Sequence, residues 1–194
     1  MGAIKTENFA RLEISAAQEL WHWLDENHRQ DESIWLVTFK KHHASRFVGR
    51  DEVLDALIAY GWIDGIRRAV DVDRTMQLIS KRRVQHWSAS YKERASRLSA
   101  EGLMQAPGLE SIKAGKENGL WDYMADVDAL IWPDDLKEAL QSDAKAQSYF
   151  DTCPPAYMRN VLRWIKLAKT APTRAKRIAT VVSTCAMNER IAQM

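Results

Sequence analysis

The run Ser-Ile-Trp-Leu-Val-Thr-Phe-Lys-Lys, Ser33 to Lys41, constrains the fold of this chain more than any other stretch. It is rich in β-branched and aromatic residues, almost continuously apolar, and exits on two lysines. That pattern predicts a largely buried strand, and such a strand needs neighbours. The residues before it, "ISAAQELWHWLDENH", have helical spacing, with Leu20, Trp21 and Leu24 on one face. Ser15, with Gln18 three residues on, is the expected capping box. After the loop "HHASRFVGR", Asp51 is the expected cap of a helix whose stripe is Val53, Leu54, Leu57 and Ile58. Gly61 is placed to stop that helix in the left-handed conformation.

The chain then turns. "IDGIRRAVD" and "TMQLIS" read as two strands around a "VDR" turn, with Met76, Leu78 and Ser80 alternating against Thr75, Gln77 and Ile79. A hairpin does not stand alone in water, so it must pair with Trp35–Lys40 or pack on helices. Helical spacing resumes near Ser88 or Ser90. Ser90 with Glu93 suggests a second capping box, and Leu98 lies inward. A short helix is expected between Pro107 and Gly119. "LWDYMADVDALIWP" reads as an extended crossing pinned by Trp121, Tyr123, Ile131 and Trp132. Beyond Pro133 everything is helical, with Pro154–Pro155 and Pro172 opening the last two helices. The expected class is α+β. Residues 1–132 form a small antiparallel sheet of three to four strands packed with helices, and residues 133–194 form a helical C-terminal module docked on it.

Composition bounds the function classes. The 194 residues fit one domain, or one with a small appendix. A net charge of +2 gives no argument for nucleic acid. Cys153 and Cys185 lack CxxC partners and read as small buried hydrophobes, so nothing points to an oxidising compartment. Met1 to Leu12 has no apolar core of a signal peptide, and no apolar run approaches the ~20 residues that cross a bilayer. A cytoplasmic protein with no membrane insertion is therefore expected.

Several runs are familiar together: "WLVTFKK", "YGWIDGIRR", "KRR" with "WS", and then "WPDDLKEAL", "YFDTCPPAYMRNVLRWIKLAK" and "TRAKRI". They resemble the YdeI/OmpD-associated, or bacteriocin-protection, family from about Trp21 to Val182. The C-terminal pattern falls on Pro133, Asp135, Leu136, Phe150, Trp164, Ile165, Ala168, Lys169, Thr173, Arg174, Arg177 and Ile178. The chain departs from that pattern at Ser80 to His86, before Trp87. The resemblance implies a bacterial stress protein tied to tolerance of cationic antimicrobial peptides or bacteriocins, with a porin-linked protein partner. It implies no established reaction and no catalytic residues.

The residues themselves offer a candidate pocket. If the three strands are neighbours, Lys40, Arg67, Arg74 and Arg82 converge, Trp62 and Trp87 wall the space, and Asp64 orients or neutralises an arginine. Guanidinium groups recognise carboxylate or phosphate through paired hydrogen bonds, so the ligand would be an anionic small molecule or an acidic partner surface. The competing reading pairs Arg67 with Asp71 or Asp73 and leaves the other cations as a solvated face.

A basic stretch with Trp87 and Tyr91 interleaved raises nucleic acid, but Glu93 breaks it, and that partner is set aside. Tryptophan-rich surface raises a protein-interaction module. No HExxH, GxSxG or glycine-rich phosphate loop is present. His42 and His43 are adjacent in a polar loop and are expected to diverge. Asp71 and Asp73 flank a turn, which explains them without a cation. No metal and no cofactor are expected. The leaning is toward a non-catalytic protein, the alternative being an enzyme using Asp64, Arg67 and Trp62.

Overall fold

The buried run is a strand with a neighbour on each side. Among the described residues four strands, β1 (Arg11–Ile14), β2 (Ile34–Phe39), β3 (Trp62–Ala69) and β4 (Arg74–Lys81), lie in the order β1-β2-β4-β3. The structure is a computed structural model that describes residues 8–192. The part of the N-terminus read above as lacking a leader lies, up to residue 7, outside the described residues. The β2–β4 and β3–β4 pairs are antiparallel. β1 adds a parallel edge, so the sheet is mixed. Four residues are too few to show a strand period, which is why the sequence does not reveal it.

Helices α1 (Ala17–Asn27) and α2 (Arg50–Ala59) cover one face of the sheet. Leu20 and Leu24 of α1, Val53 and Leu57 of α2, and Leu36, Trp62 and Ile79 of the sheet form one buried cluster. Helices α3 (Ala89–Ala100) and α4 (Ala106–Glu117) add a layer beyond α2, joined through Ile58, Trp87, Ala95 and Leu98. Gly61 ends α2 with φ at +70°, the left-handed stop its position predicts. Gly108 lets α4 touch the end of α2. A methyl group there would lie 2.2 Å from the Ala59 carbonyl oxygen.

The expected caps move by a residue or more. Ser15 is held by Glu19, whose carboxylate accepts both the Ser15 backbone N–H and its hydroxyl. α2 starts after Gly49, whose N–H donates to the Glu52 carboxylate at 2.7 Å, and Asp51 lies inside the first turn. α3 starts after Ser88 without a side-chain cap, so Ser90 lies within the helix. In each case a carboxylate or serine with the right spacing sits within three residues of the true boundary.

The chain divides into two compact units between Asp122 and Tyr123, upstream of Pro133. The second unit holds α5 (Ala125–Asp128), α6 (Asp134–Gln141), α7 (Ala144–Asp151), α8 (Pro155–Lys166) and α9 (Ala171–Ala186). Residues 121–133 are not an extended crossing. They are turns around the short α5, ending at Leu130 with φ at +56°. Met124 and Val127 join Leu136, Phe150, Val161, Ile165, Ile178 and Val181 in the core of this unit. Asp143 caps α7 and Thr170 caps α9. Cys153 and Cys185 are both free and buried, and burial pushes the Cys185 thiol up to about 11. No helix among the described residues is long and apolar enough to cross a membrane.

Candidate anion-binding site

The seven sequence candidates do not meet in one place. Five of them fall at the two ends of the β3–β4 hairpin, about 20–25 Å apart for strands of this length, and Asp64 and Arg67 lie between. At the turn end, Arg74 is locked. Its guanidinium donates to Asp71 at 2.6 Å and to Glu13 at 2.5 Å. Lys40 donates its ammonium to the carbonyls of Asp71 and Val72. At the opposite end lie Trp62, Arg82 and Trp87. Trp62 is fully buried, its N–H on the His28 carbonyl and its ring edge-on to Trp23, so it walls no pocket.

Arg82 is 8% exposed and belongs to the core. Its guanidinium lies 4.1 Å from the Trp87 ring centre and 5.1 Å from that of Tyr91. One Nη donates to the carbonyls of Gln85 and His86, while Nε and the other Nη have no partner among the described residues. Burial, partly offset by the nearby Tyr91 and Asp64, pulls its pKa down to about 10.

Between these ends a β-bulge sets the useful geometry. Asp64 faces Ile79 and Arg67 faces Gln77, so Gly65 and Ile66 together oppose Leu78. Strand parity would put residues 64 and 67 on opposite faces; the extra residue puts both on the helix-covered face. Gln77 then bridges them. Arg67 donates to its Oε1 at 2.8 Å, and its Nε2 donates to Asp64 at 2.9 Å. The Tyr91 hydroxyl donates to the other Asp64 oxygen. Burial and that contact raise the Tyr91 pKa well above its ordinary value. Arg67 thus pairs with neither Asp71 nor Asp73.

Arg67 and Gln77 open into a concave cavity of about 260 Å³ on the same face. Thr38 and Thr75, on adjacent strands, continue its polar floor, with hydroxyls 3.5 Å apart. Val48 and Val53 wall it from the loop and α2 side, and Lys40, Lys41 and Arg50 join Arg67 in lining it. No carboxylate is among the described residues that line it. Several other cations of the first unit are neutralised, Arg94 by Asp51 and Asp55, Arg97 by Asp55 and Glu101, Arg83 by Asp31 and Lys92 by Asp122. Arg11, Arg29, Arg46, Arg68 and Lys81 are in no ion pair among the described residues but do not line this cavity. Arg50, Arg67 and Lys41 form no ion pair among the described residues. Four positive side chains, hydroxyls and an amide around one concavity can hold a small anion.

Lys40 and Arg67 of the sequence candidates line this cavity, and Asp64 sits behind Gln77. Lys41, Arg50, Thr38, Thr75 and Gln77 were missed. One signal was legible: Gln77 is a polar residue on the same alternating face as Ile79. Of the eight indoles, Trp35, Trp62 and Trp87 are buried and the other five are half-buried.

Residues 12–111 match the model of a family described as a domain of unknown function, DUF8412. Residues 129–188 match the model described as bacteriocin-protection, YdeI or OmpD-associated. The Gly-Trp-Ile-Asp-Gly run lies in the first match, and the motif-based resemblance is carried by the second. No curated protein and no solved structure matches the chain. Two pairs of motif residues in the C-terminal module make contacts within it. Asp135 takes a two-pronged bond from Arg174 at 2.6 and 2.8 Å, tying α6 to α9. Arg177 stacks on Trp164 and donates to its carbonyl.

Proposed function

The chain belongs to the family of the DUF8412 domain and carries a YdeI/OmpD-associated C-terminal module, and from that premise we propose that it binds a small phosphate- or carboxylate-bearing molecule in the cavity under α2. One observation carries this reading: Lys40, Lys41, Arg50 and Arg67 line one concavity with no acidic counterpart among its described lining residues. The cavity is concave, which favours a small molecule over an extended acidic partner surface. The description of the C-terminal module as bacteriocin-protection supports a wider role in tolerance of bacteriocins. We further propose that the protein is bacterial, that the tolerance extends to cationic peptides, and that it acts inside the cell with this anion as its ligand.

Thermal-shift screening of the full chain with phosphate, pyrophosphate, nucleotides and sugar acids tests the reading. A ligand at 100 times its Kd stabilises by roughly 2.7 kcal/mol, or about 5–10 °C for a chain of this size. The expected result is such a shift with one anion class, lost in a folded Arg67→Ala variant. No shift with any anion, or an equal shift in Arg67→Ala, contradicts it. Consumption of the stabilising anion in the same samples would add a reaction to the binding role.

A further inference from the structure

We propose that His42, His43 and Asp73 form a binding site for one divalent transition-metal ion of the zinc type. The two histidines follow β2, and Asp73 lies in the turn between β3 and β4. They were expected to diverge as neighbours in sequence. A turn in which the His43 N–H is bonded at 2.9 Å to the Lys40 carbonyl brings their rings to 4.5 Å instead. Pairing of the loop with the hairpin, through the Lys40 N–H and the Asp73 carbonyl at 2.8 Å, sets both rings against one carboxylate. Nε2 of His42 lies 3.1 Å, and Nε2 of His43 2.8 Å, from the same Asp73 oxygen.

A carboxylate oxygen only accepts hydrogen bonds, so these two contacts are hydrogen bonds in the tautomers that carry the proton on Nε2. The three ligand atoms all lie within 4.8 Å of one another. Zinc bonds of 2.0–2.2 Å in tetrahedral geometry place donors roughly 3.3 Å apart. Rotations of the side chains by a few tenths of an ångström to about one ångström therefore admit the ion. As the ion takes an Nε2 lone pair, a proton on that nitrogen moves to Nδ1 when Nδ1 is free and leaves to solvent when Nδ1 already carries one. Two N–H···O bonds are exchanged for three bonds to metal, and the fourth position stays open.

Two of the three ligands, His43 and Asp73, are held in advance. The His43 ring stands edge-on to buried Phe39 at 5.7 Å, and its side chain is only 28% exposed. Asp71 accepts from the N–H groups of Asp73 and Arg74, fixing the turn that presents Asp73. The surroundings also select the ion. Lys40 and Lys41 precede the two histidines, and Asp73 is the one carboxylate among the three donors, so little negative charge is offered to a cation held by charge alone. Magnesium and calcium need such oxygen-rich, anionic cages, whereas two imidazole lone pairs suit zinc, cobalt or nickel.

The test is titration of the untagged full-length chain with Co²⁺, read by visible absorption, and with Zn²⁺ by calorimetry. One ion per chain is expected, with a cobalt spectrum of imidazole and carboxylate ligation. Excess Mg²⁺ or Ca²⁺ should not displace it. His43→Ala and Asp73→Asn, checked for an unchanged metal-free melting temperature, should each weaken binding by more than the roughly 10–100-fold that loss of an outer-shell partner costs. His22→Ala, on α1 beside Glu26, should leave it unchanged. Failure of the folded chain to take up either ion, or uptake that persists unaltered in a folded His42→Ala/His43→Ala variant, overturns the proposal.

Discussion

Arg82→Met should leave stability within about 1 kcal/mol of the parent, although it deletes a buried charge. Burial takes the guanidinium from its usual value near 12.5 to about 10, which is roughly 3 kcal/mol against the charged form. The return is a stack on Trp87 at 4.1 Å and Tyr91 at 5.1 Å, about 2 kcal/mol when desolvated. Two long bonds to the Gln85 and His86 carbonyls, at 3.3 and 3.2 Å, add about 1 kcal/mol together. These contributions nearly cancel. Methionine keeps the apolar stem between the rings and adds a sulfur–aromatic contact. Arg82→Ala keeps neither and should lose about 2–4 kcal/mol through the cavity it opens. Urea unfolding followed by near-ultraviolet circular dichroism, which reports the packed indoles, measures both. A loss above about 3 kcal/mol in Arg82→Met would refute the reasoning. It would mean that the two unpartnered nitrogens have partners in solution.

Two other perturbations follow from close contacts. Gly108→Ala puts a methyl 2.2 Å from the Ala59 oxygen, so α4 must move off α2; a loss of about 1–3 kcal/mol, or roughly 2–12 °C in melting temperature, is expected by calorimetry. Arg174 holds the Asp135 carboxyl below the usual carboxylate range. Its contribution is therefore present above the unfolded value of about 3.9 and lost as pH falls through the lower folded value. With side chains 30% and 45% exposed, the pair is worth at most about 1 kcal/mol. Asp135→Asn should be less stable than the parent by up to that amount at pH 7, with the difference vanishing near pH 2.

What the sequence revealed follows the range of the forces involved. β2, the hairpin, Gly61 and the helices after Pro133 rest on local period and local backbone preference, and they were legible. The bulge at Gly65 and Ile66 was not, because one extra residue reverses the facing of everything beyond it and leaves only a glycine as its mark. Arg74 looked free because its second partner, Glu13, is 61 residues away on a strand too short to recognise. His42 and His43 meet because a turn and a distant aspartate bring them together. Gln77 was visible as a polar residue on an apolar face, yet its role as the bridge between Arg67 and Asp64 depends on the bulge.

Calorimetric titration of pyrophosphate at low salt into the parent chain, Arg50→Met/Arg67→Met and Arg74→Met tests the central claim most directly. Saturable one-site binding is predicted in the parent, weakened at least about tenfold in the double variant, since each charge-assisted bond contributes roughly 1.5–3 kcal/mol. Arg74→Met should match the parent, because Asp71 and Glu13 already occupy that guanidinium. Absence of saturable binding, or binding that tolerates the double substitution, would contradict the account.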